Sequence, residues 1–424
     1  MLRKFFEKLK LMLQDKVLRQ RVLFTLAILV IFRALAAIPI PSIDHERLAA
    51  FFSNNQFLGL LDIFSGGGLS NLSIVMLGVG PYITASIIMQ LLTMMSPKLK
   101  ALYHEEGEAG RKKISQWSRY LAVPLCIANG LGFLLLLQKQ GAIPDVGTFS
   151  FMVNVLTVSA GSMLLMWLGE MVTEFGIGNG VSLIIFAGIV SRIPSTASQL
   201  VFTFDPAQIP TYLAFIIAAL VITFGVVVVT EAERPIPITY AKRVRGMKVY
   251  GGISTYLPLR VNQAGVIPII FALSILLLPQ MVLNFLSAVN STTIKAISDF
   301  ILNILSNQWF YAAAYFILVF LFTYFYTAVT FDPNSISTNL QKSGAFIPGV
   351  RPGKPTSEHL ANVLTRITLV GALFLGTIAV LPLGMQSITG MTSLAVGGTA
   401  LLIVVSVVID LVKKIEAQIS MREY

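Results

Sequence analysis

The stretch Val181-Ser182-Leu183-Ile184-Ile185-Phe186-Ala187-Gly188-Ile189-Val190 is almost wholly apolar and then meets Ser191, Arg192 and Pro194. A helix of that length rises about 15 Å, half of a hydrocarbon core about 30 Å thick. By length alone the run can fold back as well as cross. Whether it crosses decides on which side of a membrane everything after it lies. Nine longer apolar runs surround it, near 22–41, 73–95, 119–138, 151–172, 210–230, 264–286, 308–329, 367–385 and 394–412. Suppose that 181–201 also crosses and that the N-terminus is cytoplasmic. Segments 1–21, 96–118, 173–180, 231–263, 330–366 and the C-terminal tail then hold 25 of the 31 Lys and Arg residues. The outer segments hold four, namely Arg47, Lys139, Arg192 and Lys295. Without that crossing, segment 231–263 lies outside with six positive charges, against the positive-inside bias. The short run therefore reads as a span, and the chain as ten spans.

Composition agrees. Of 424 residues, 55% are hydrophobic and 12% charged, where a soluble domain carries about 25% charge. Mean hydropathy is +0.78. Ten spans of about 20 residues leave only short connections, which excludes a single anchor carrying a large soluble domain. The apolar runs are continuous rather than alternating, which excludes a transmembrane β-barrel. The class is an all-α polytopic membrane protein. Cys126 is the only cysteine and lies in an apolar run, so it reads as a small packing residue. His45, His104 and His359 are scattered through polar segments. That set suggests neither a metal nor a redox cofactor.

Residues 1–21 place Leu2, Phe5, Phe6, Leu9, Met12 and Leu13 at helical spacing among Arg3, Lys4, Lys8 and Lys10. The pattern suits an amphipathic helix on an anionic cytoplasmic surface. A cleavable signal peptide ending at Ala34-Leu35-Ala36 is the rival, and Arg33 beside that site counts against it. The halves read as 22–201 and 210–412, with a short external hinge at 202–209 containing Pro206 and a tail at 413–424. Five spans per half is an odd number, so the second half enters from the opposite side, which permits an inverted repeat.

Ionisable residues within the spans are few. Arg33, Glu170 and Asp410 all sit near span ends, where they read as anchors or local pairs. In the second span Val79, Ile83 and Ile87 recur four apart and share a helix face, which can meet lipid or pack inward. Before it lies Leu58 to Ser70, about half a span in length and ending in Gly66-Gly67-Gly68. It reads as a re-entrant segment covered by protein or as an external surface helix. Two long cytoplasmic segments remain. Segment 231–263 interleaves Lys242, Arg243, Arg245, Lys248 and Arg260 with Tyr240, Tyr250 and Tyr256. Segment 330–366 holds Lys342 to Lys354, where Gly and Pro can fix Arg351 at a loop tip. Such loops can grip phosphates or acidic partners, or simply supply topology charge.

Six ordered motifs resemble the SecY family of bacterial translocase channel subunits along nearly the whole chain. They are KSGAFIPGVRPG at 342–353, GIGNG at 176–180, EGEAGRKKI at 106–114, FSGGGLS at 64–70, PYITASIIMQLL at 81–92 and AGVIPIIFA at 264–272. The resemblance implies ten transmembrane helices in two inverted five-helix halves, a clamshell around an hourglass pore. It implies a pore ring of Val79, Ile83, Ile185, Ile270 and Ile403. It implies a plug at 58–71, including Leu60, Leu61, Ile63, Phe64, Ser65, Gly66, Gly67 and Gly68. Spans two, three, seven and eight would form a lateral gate. Lys242, Arg243, Arg245, Lys248 and Arg351 would contact a motor or ribosome. The implied partners are the small membrane subunits SecE and SecG, the SecA ATPase, the ribosome, signal sequences with unfolded polypeptide, and membrane lipid. No side chain is implied to perform bond chemistry, so the expected function is a passive protein-conducting pore in the cytoplasmic membrane, both termini inside. The rival class, an inverted-repeat secondary transporter of a small solute, would place coupling-ion ligands at the midplane.

Overall fold

The computed structural model describes residues 15–40, 68–69, 72–139, 147–194, 198, 209–241, 243–245, 248–250, 254–287, 298, 300–305, 307–389 and 392–420. Among them, each of the ten apolar runs carries a helix. The first half contains α1 (Lys16–Ala36), α2 (Gly80–Met95), α3 (Pro97–Glu105), α4 (Gly107–Lys139), α5 (Thr148–Phe175) and α6 (Gly180–Val190). Next come α7 (Ile209–Glu231), β1 (Glu233–Tyr240), β2 (Arg243–Arg245), β3 (Lys248–Tyr250) and β4 (Ser254–Arg260). The chain continues through α8 (Ile267–Ser287), α9 (Gln308–Thr330), α10 (Pro333–Lys342), β5 (Ala345–Phe346), α11 (Lys354–Thr389) and α12 (Thr392–Ser420). Among the described residues, four helical stretches are long and apolar enough to cross a membrane: Gly107–Leu135, Thr148–Phe175, Gln308–Lys342 and Lys354–Leu381. Shorter apolar helices include Gly80–Met95 and Gly180–Val190.

Helix pairing repeats between the halves. Helix α2 packs on α4, α4 on α5 and α5 on α6, while α1 packs on both α5 and α6. In the second half α8 packs on α9, α9 on α11 and α11 on α12, while α7 packs on both α11 and α12. These are the same five pairings, taken in chain order. The halves meet where α8 lies against α2 and α4, and where α12 lies against α6. One apolar cluster runs through all of these helices except α4, with Ile28, Phe32, Val79, Leu165, Ile185, Ile270, Val319 and Ile403 among its members.

Local chemistry explains the short α6. The Asn179 side chain accepts from the backbone N–H groups of Val181 and Ser182, a side-chain N-cap. The turn before it is tied to α5 and α1. Thr173 Oγ1 accepts from the Gly180 N–H at 2.9 Å, and Thr25 Oγ1 accepts from the Ile177 N–H at 3.2 Å. The helix stops at the turn Ser191-Arg192, and helical conformation resumes at 193–194. At the other end of the chain's first half, α1 begins on the Asp15 cap and runs through residue 21 without a break. The basic residues Lys16, Arg19 and Arg21 therefore share one helix with the first apolar run. Residues 1–14 lie outside the described part.

The long connecting segments 231–263 and 330–366 differ from the all-helical expectation. Strands β1 and β4 form an antiparallel pair from Glu233↔Arg260 to Thr239↔Ser254, and β5 adds to β1 through Thr239↔Phe346 and Tyr240↔Ala345. A strand from segment 330–366 thus completes a sheet begun in 231–263. The pattern Pro235-Ile236-Pro237-Ile238 has period two, with both isoleucines buried and both prolines exposed. Proline cannot donate to a ladder. Here β5 reaches only the C-terminal end of β1, which leaves the proline stretch without a strand on that side. Ile236, Leu259, Ile347, Leu360 and Ile367 close a small core beneath the sheet.

Candidate functional site: an apolar constriction beside a polar cavity

Five side chains from four helices and one helix cap belong to the same large apolar cluster. Val79 is the N-cap of α2, and Ile83 lies in its first turn. Ile185 is mid-way along α6, Ile270 lies in the first turn of α8, and Ile403 lies in α12. Their exposures are 0% for Val79, 5% for Ile83, 1% for Ile185, 5% for Ile270 and 1% for Ile403. All five belong to one contiguous cluster. Ile87, the third member of the shared α2 face, is also buried at 1%, so that face packs inward and does not meet lipid. Burying each such aliphatic side chain contributes about 1.5–3 kcal/mol. The sequence separation is large, and the convergence comes entirely from tertiary packing.

Ile83, Ile185 and Ile270 also line a cavity of about 400 Å³. The rest of its wall is mixed: Val181, Ile267 and Phe271 add apolar surface, and Ser86, Gln90, Ser115, Thr173, Asn179 and Ser182 add polar groups. Arg119 and Glu170 complete it. The Arg119 guanidinium donates through Nε to Glu170 Oε1 at 2.7 Å, and Tyr82 Oη donates to the same oxygen at 3.5 Å. One carboxylate therefore links α2, α4 and α5. The Glu170 side chain is 17% exposed and that of Arg119 44%, so the pair is partly solvated. This is the local pairing expected for a charge at a span end. Asp410 behaves alike, paired with Lys414 at 2.8 Å. Sequence reading missed the cavity, because its uncharged polar residues are ordinary Ser, Thr, Gln, Asn and Tyr dispersed from 82 to 326. The only signal was that Arg119 and Glu170 both fall near span ends.

The constriction and the cavity differ in what they admit. Water fills a polar recess, whereas a ring of aliphatic side chains that touch one another excludes it, the dewetting type of seal. Van der Waals contact among flexible aliphatics also sets no chemical requirement on what passes between them.

The second candidate region lies in the two long basic segments, 231–263 and 330–366. Arg351 is exposed at the tip between Gly349 (φ +84°) and Gly353 (φ +94°), left-handed positions that favour glycine. The tip is braced. Thr356 Oγ1 donates to the Arg351 carbonyl at 2.8 Å, and Ser337 Oγ donates to the Gly353 carbonyl at 2.7 Å. Arg243 and Arg245 lie on β2 and Lys248 on β3, and Arg245 pairs with Lys248 in register. Lys242 lies outside the described residues. So do Leu60, Leu61, Ile63, Phe64, Ser65, Gly66 and Gly67 of the expected plug. Gly68 is described, in a turn whose carbonyl accepts from the Ser73 N–H at 2.8 Å.

A helical bundle that packs aliphatic side chains beside a cavity with polar groups is an arrangement that membrane channels use. Solved structures agree on the fold. A protein-conducting channel superposes with a TM-score of 0.66 at 19% identity, covering 96% of this chain and 93% of that one. The canine Sec61 channel, from a ribosome-channel complex, gives 0.62 at 18% identity over 96% and 93%. The SecY family model matches residues 73–412. The SecY translocase subunit of Mycobacterium leprae is 43% identical over 427 residues, covering 96% of each chain. That of Synechocystis is 42% identical over 424 residues, covering 97% of this chain and 95% of the other. The chain belongs to the SecY family.

Proposed function

We propose that the chain is the central pore subunit of a protein-conducting channel, passing unfolded polypeptides across the bacterial cytoplasmic membrane and releasing apolar segments sideways into lipid. It is a translocase subunit, not an enzyme. The observation that carries the reading is the convergence of Val79, Ile83, Ile185, Ile270 and Ile403 in one buried apolar cluster, three of them lining the polar cavity. These five form the pore ring, and the cavity is the water-filled funnel on its cytoplasmic side.

The ten helices span the membrane as two inverted halves, 22–201 and 210–412, hinged at 202–209. The repeated helix pairing supports that arrangement. The lateral gate lies where α8 packs on α2 and α4, with α9 as its fourth wall. Segment 58–71 is the plug. A SecY structure of the same fold (TM-score 0.68, 19% identity) has a plug domain described as stabilising the closed state and maintaining a membrane seal. Both termini are cytoplasmic, consistent with the 25-to-4 distribution of basic residues.

Energy comes from outside the chain, because a passive ring only admits what is pushed or threaded. The braced Arg351 tip and the Arg243, Arg245 and Lys248 ribbon, with Lys242, form the docking face for the SecA motor or the ribosome. SecE and SecG are the small membrane partners, and signal sequences and lipid meet the chain at the lateral gate. A small-solute transporter is disfavoured by the translocase relatives and by the pairing of Glu170 and Asp410 near helix ends. The test is import of a labelled unfolded precursor into vesicles containing the reconstituted complex. Import that needs this chain supports the proposal. Solute uptake driven by an ion gradient, without precursor import, refutes it.

A further inference from the structure

The lead-in to α2 is irregular backbone, and two small residues of α5 hold it. Residues 74–79 form successive turns, with Gly78 in the left-handed region at φ +58°. Non-helical backbone at membrane depth persists only where protein satisfies its polar groups. The Ile74 N–H donates to the Ile38 carbonyl at 3.0 Å, and the Gly78 N–H to the Val75 carbonyl at 2.9 Å. The Gly78 carbonyl accepts from Ser162 Oγ at 2.7 Å, a buried bond across 84 residues. Ser162 is 1% exposed and in turn accepts from Cys126 Sγ at 3.5 Å, which ties in α4. Its neighbour Gly161 lies against the Ile74 carbonyl so closely that a Cβ there would collide with that oxygen.

We infer that Gly161-Ser162 positions the pore ring: the Ser162 hydroxyl, held by α5 and bonded to Gly78, fixes the carbonyl one residue before Val79 and so sets how far the Val79 side chain reaches into the closed constriction. The inference rests on the pore-ring reading above. It assigns Ser162 a role that its type and place in the sequence do not reveal, since Ser in an apolar helix ordinarily bonds back to its own helix. Ser274 on α8 does so, donating to the Ile270 carbonyl at 2.9 Å. Ser162 instead spends its one proton on another segment. The bond is present in the arrangement described, and a widening of the ring that carries the Gly78 carbonyl away from Ser162 would give it up, so the bond would favour the closed arrangement.

The test uses the full chain in the reconstituted complex, with Cys126→Ser as background, since Ser at that position keeps a donor toward Ser162. Val79→Cys reports on the ring through its rate of modification by a small water-soluble thiol reagent. Ala372→Cys, at a position 0% exposed in α11, reports on general loosening. Ser162→Ala is expected to raise both the Val79→Cys modification rate and, in the chain without either reporter cysteine, the closed-channel ion leak by about tenfold. That corresponds to about 1.4 kcal/mol lost from the closed state, within the range for leaving a buried acceptor without its donor. Ala372→Cys should stay protected, and Ser162→Thr, which keeps the hydroxyl, should restore both readouts. Unchanged modification at Val79→Cys overturns the inference. So does an equal rise at Ala372→Cys, which means loosening throughout. Ile403→Asn, measured in parallel, separates the two readings. If it leaks and Ser162→Ala does not, the positioning role fails and the ring stands. If neither leaks, the ring fails and the positioning role falls with it.

Discussion

Replacing Ile403 by Asn tests the seal at its driest point. Ile403 is 1% exposed, packs within the cluster shared by Val79, Ile83, Ile185 and Ile270, and does not line the polar cavity. An amide there finds no water and no partner among its aliphatic neighbours. Losing the buried isoleucine forfeits about 1.5–3 kcal/mol. Burying the unpartnered amide costs about 1–3 kcal/mol more on protein-derived scales. An open, wetted ring suffers neither penalty in full, because water reaches the amide. A net shift of about 3 kcal/mol toward the open state raises its population about a hundredfold. Ile270→Asn should do less, because Ile270 borders the cavity and its amide can borrow water there. Ile403→Leu keeps volume and apolarity and should change little. The assay pairs ion leak across vesicles with transport of precursors carrying defective signal sequences. If both Asn variants transport only well-signalled precursors, with leak unchanged, the ring assignment is wrong.

Three further outcomes follow from the same geometry. Single cysteines in a Cys126→Ser background, at Lys248 and Arg351, should react with an impermeant thiol reagent from the cytoplasmic side only, and at Lys139 and Lys295 from outside only; labelling of position 248 from outside would sink the ten-span topology. Arg351→Glu should nearly abolish motor-driven translocation at normal membrane abundance, and Arg351→Lys should give an intermediate rate, because charge survives and the forked contact does not; normal rates for Arg351→Glu would reduce this residue to a topology charge. Gly180→Ala should lower membrane abundance, because the new Cβ would land on the Gly169 carbonyl where α6 crosses α5, an overpacking cost of about 1–3 kcal/mol; wild-type abundance and protease resistance would show that the crossing has slack.

The helices were legible because each answers to one local quantity, a run of apolar residues. The short α6 is a helix too, and its crossing is inferred from the charges of 231–263, since its 11 residues are too few to argue for themselves. The β-sheet was not read. Pro235-Ile236-Pro237-Ile238 alternates correctly, but the prolines mask the signal, and β5 is two residues long and lies about a hundred residues downstream of β1. The pore-ring assignment rests on family resemblance and not on any local signal. Spacing puts Val79, Ile83 and Ile87 on one face, and nothing local distinguishes a face that packs inward from one that meets lipid. Partners such as Arg119 and Glu170, 51 residues apart, or Ser162 and Gly78, 84 apart, depend on which helices become neighbours. No single segment encodes that.

The central claim is that translocating polypeptide passes through the ring formed by Val79, Ile83, Ile185, Ile270 and Ile403. It is tested by stalling a precursor midway, with a single cysteine in its trapped portion. Disulfide formation is then measured against single cysteines at those five positions in the Cys126→Ser background. The account predicts cross-links at the ring positions and none at Leu220, which is 65% exposed on the outer face of α7. A stalled, transport-competent precursor that links to no ring position would contradict it.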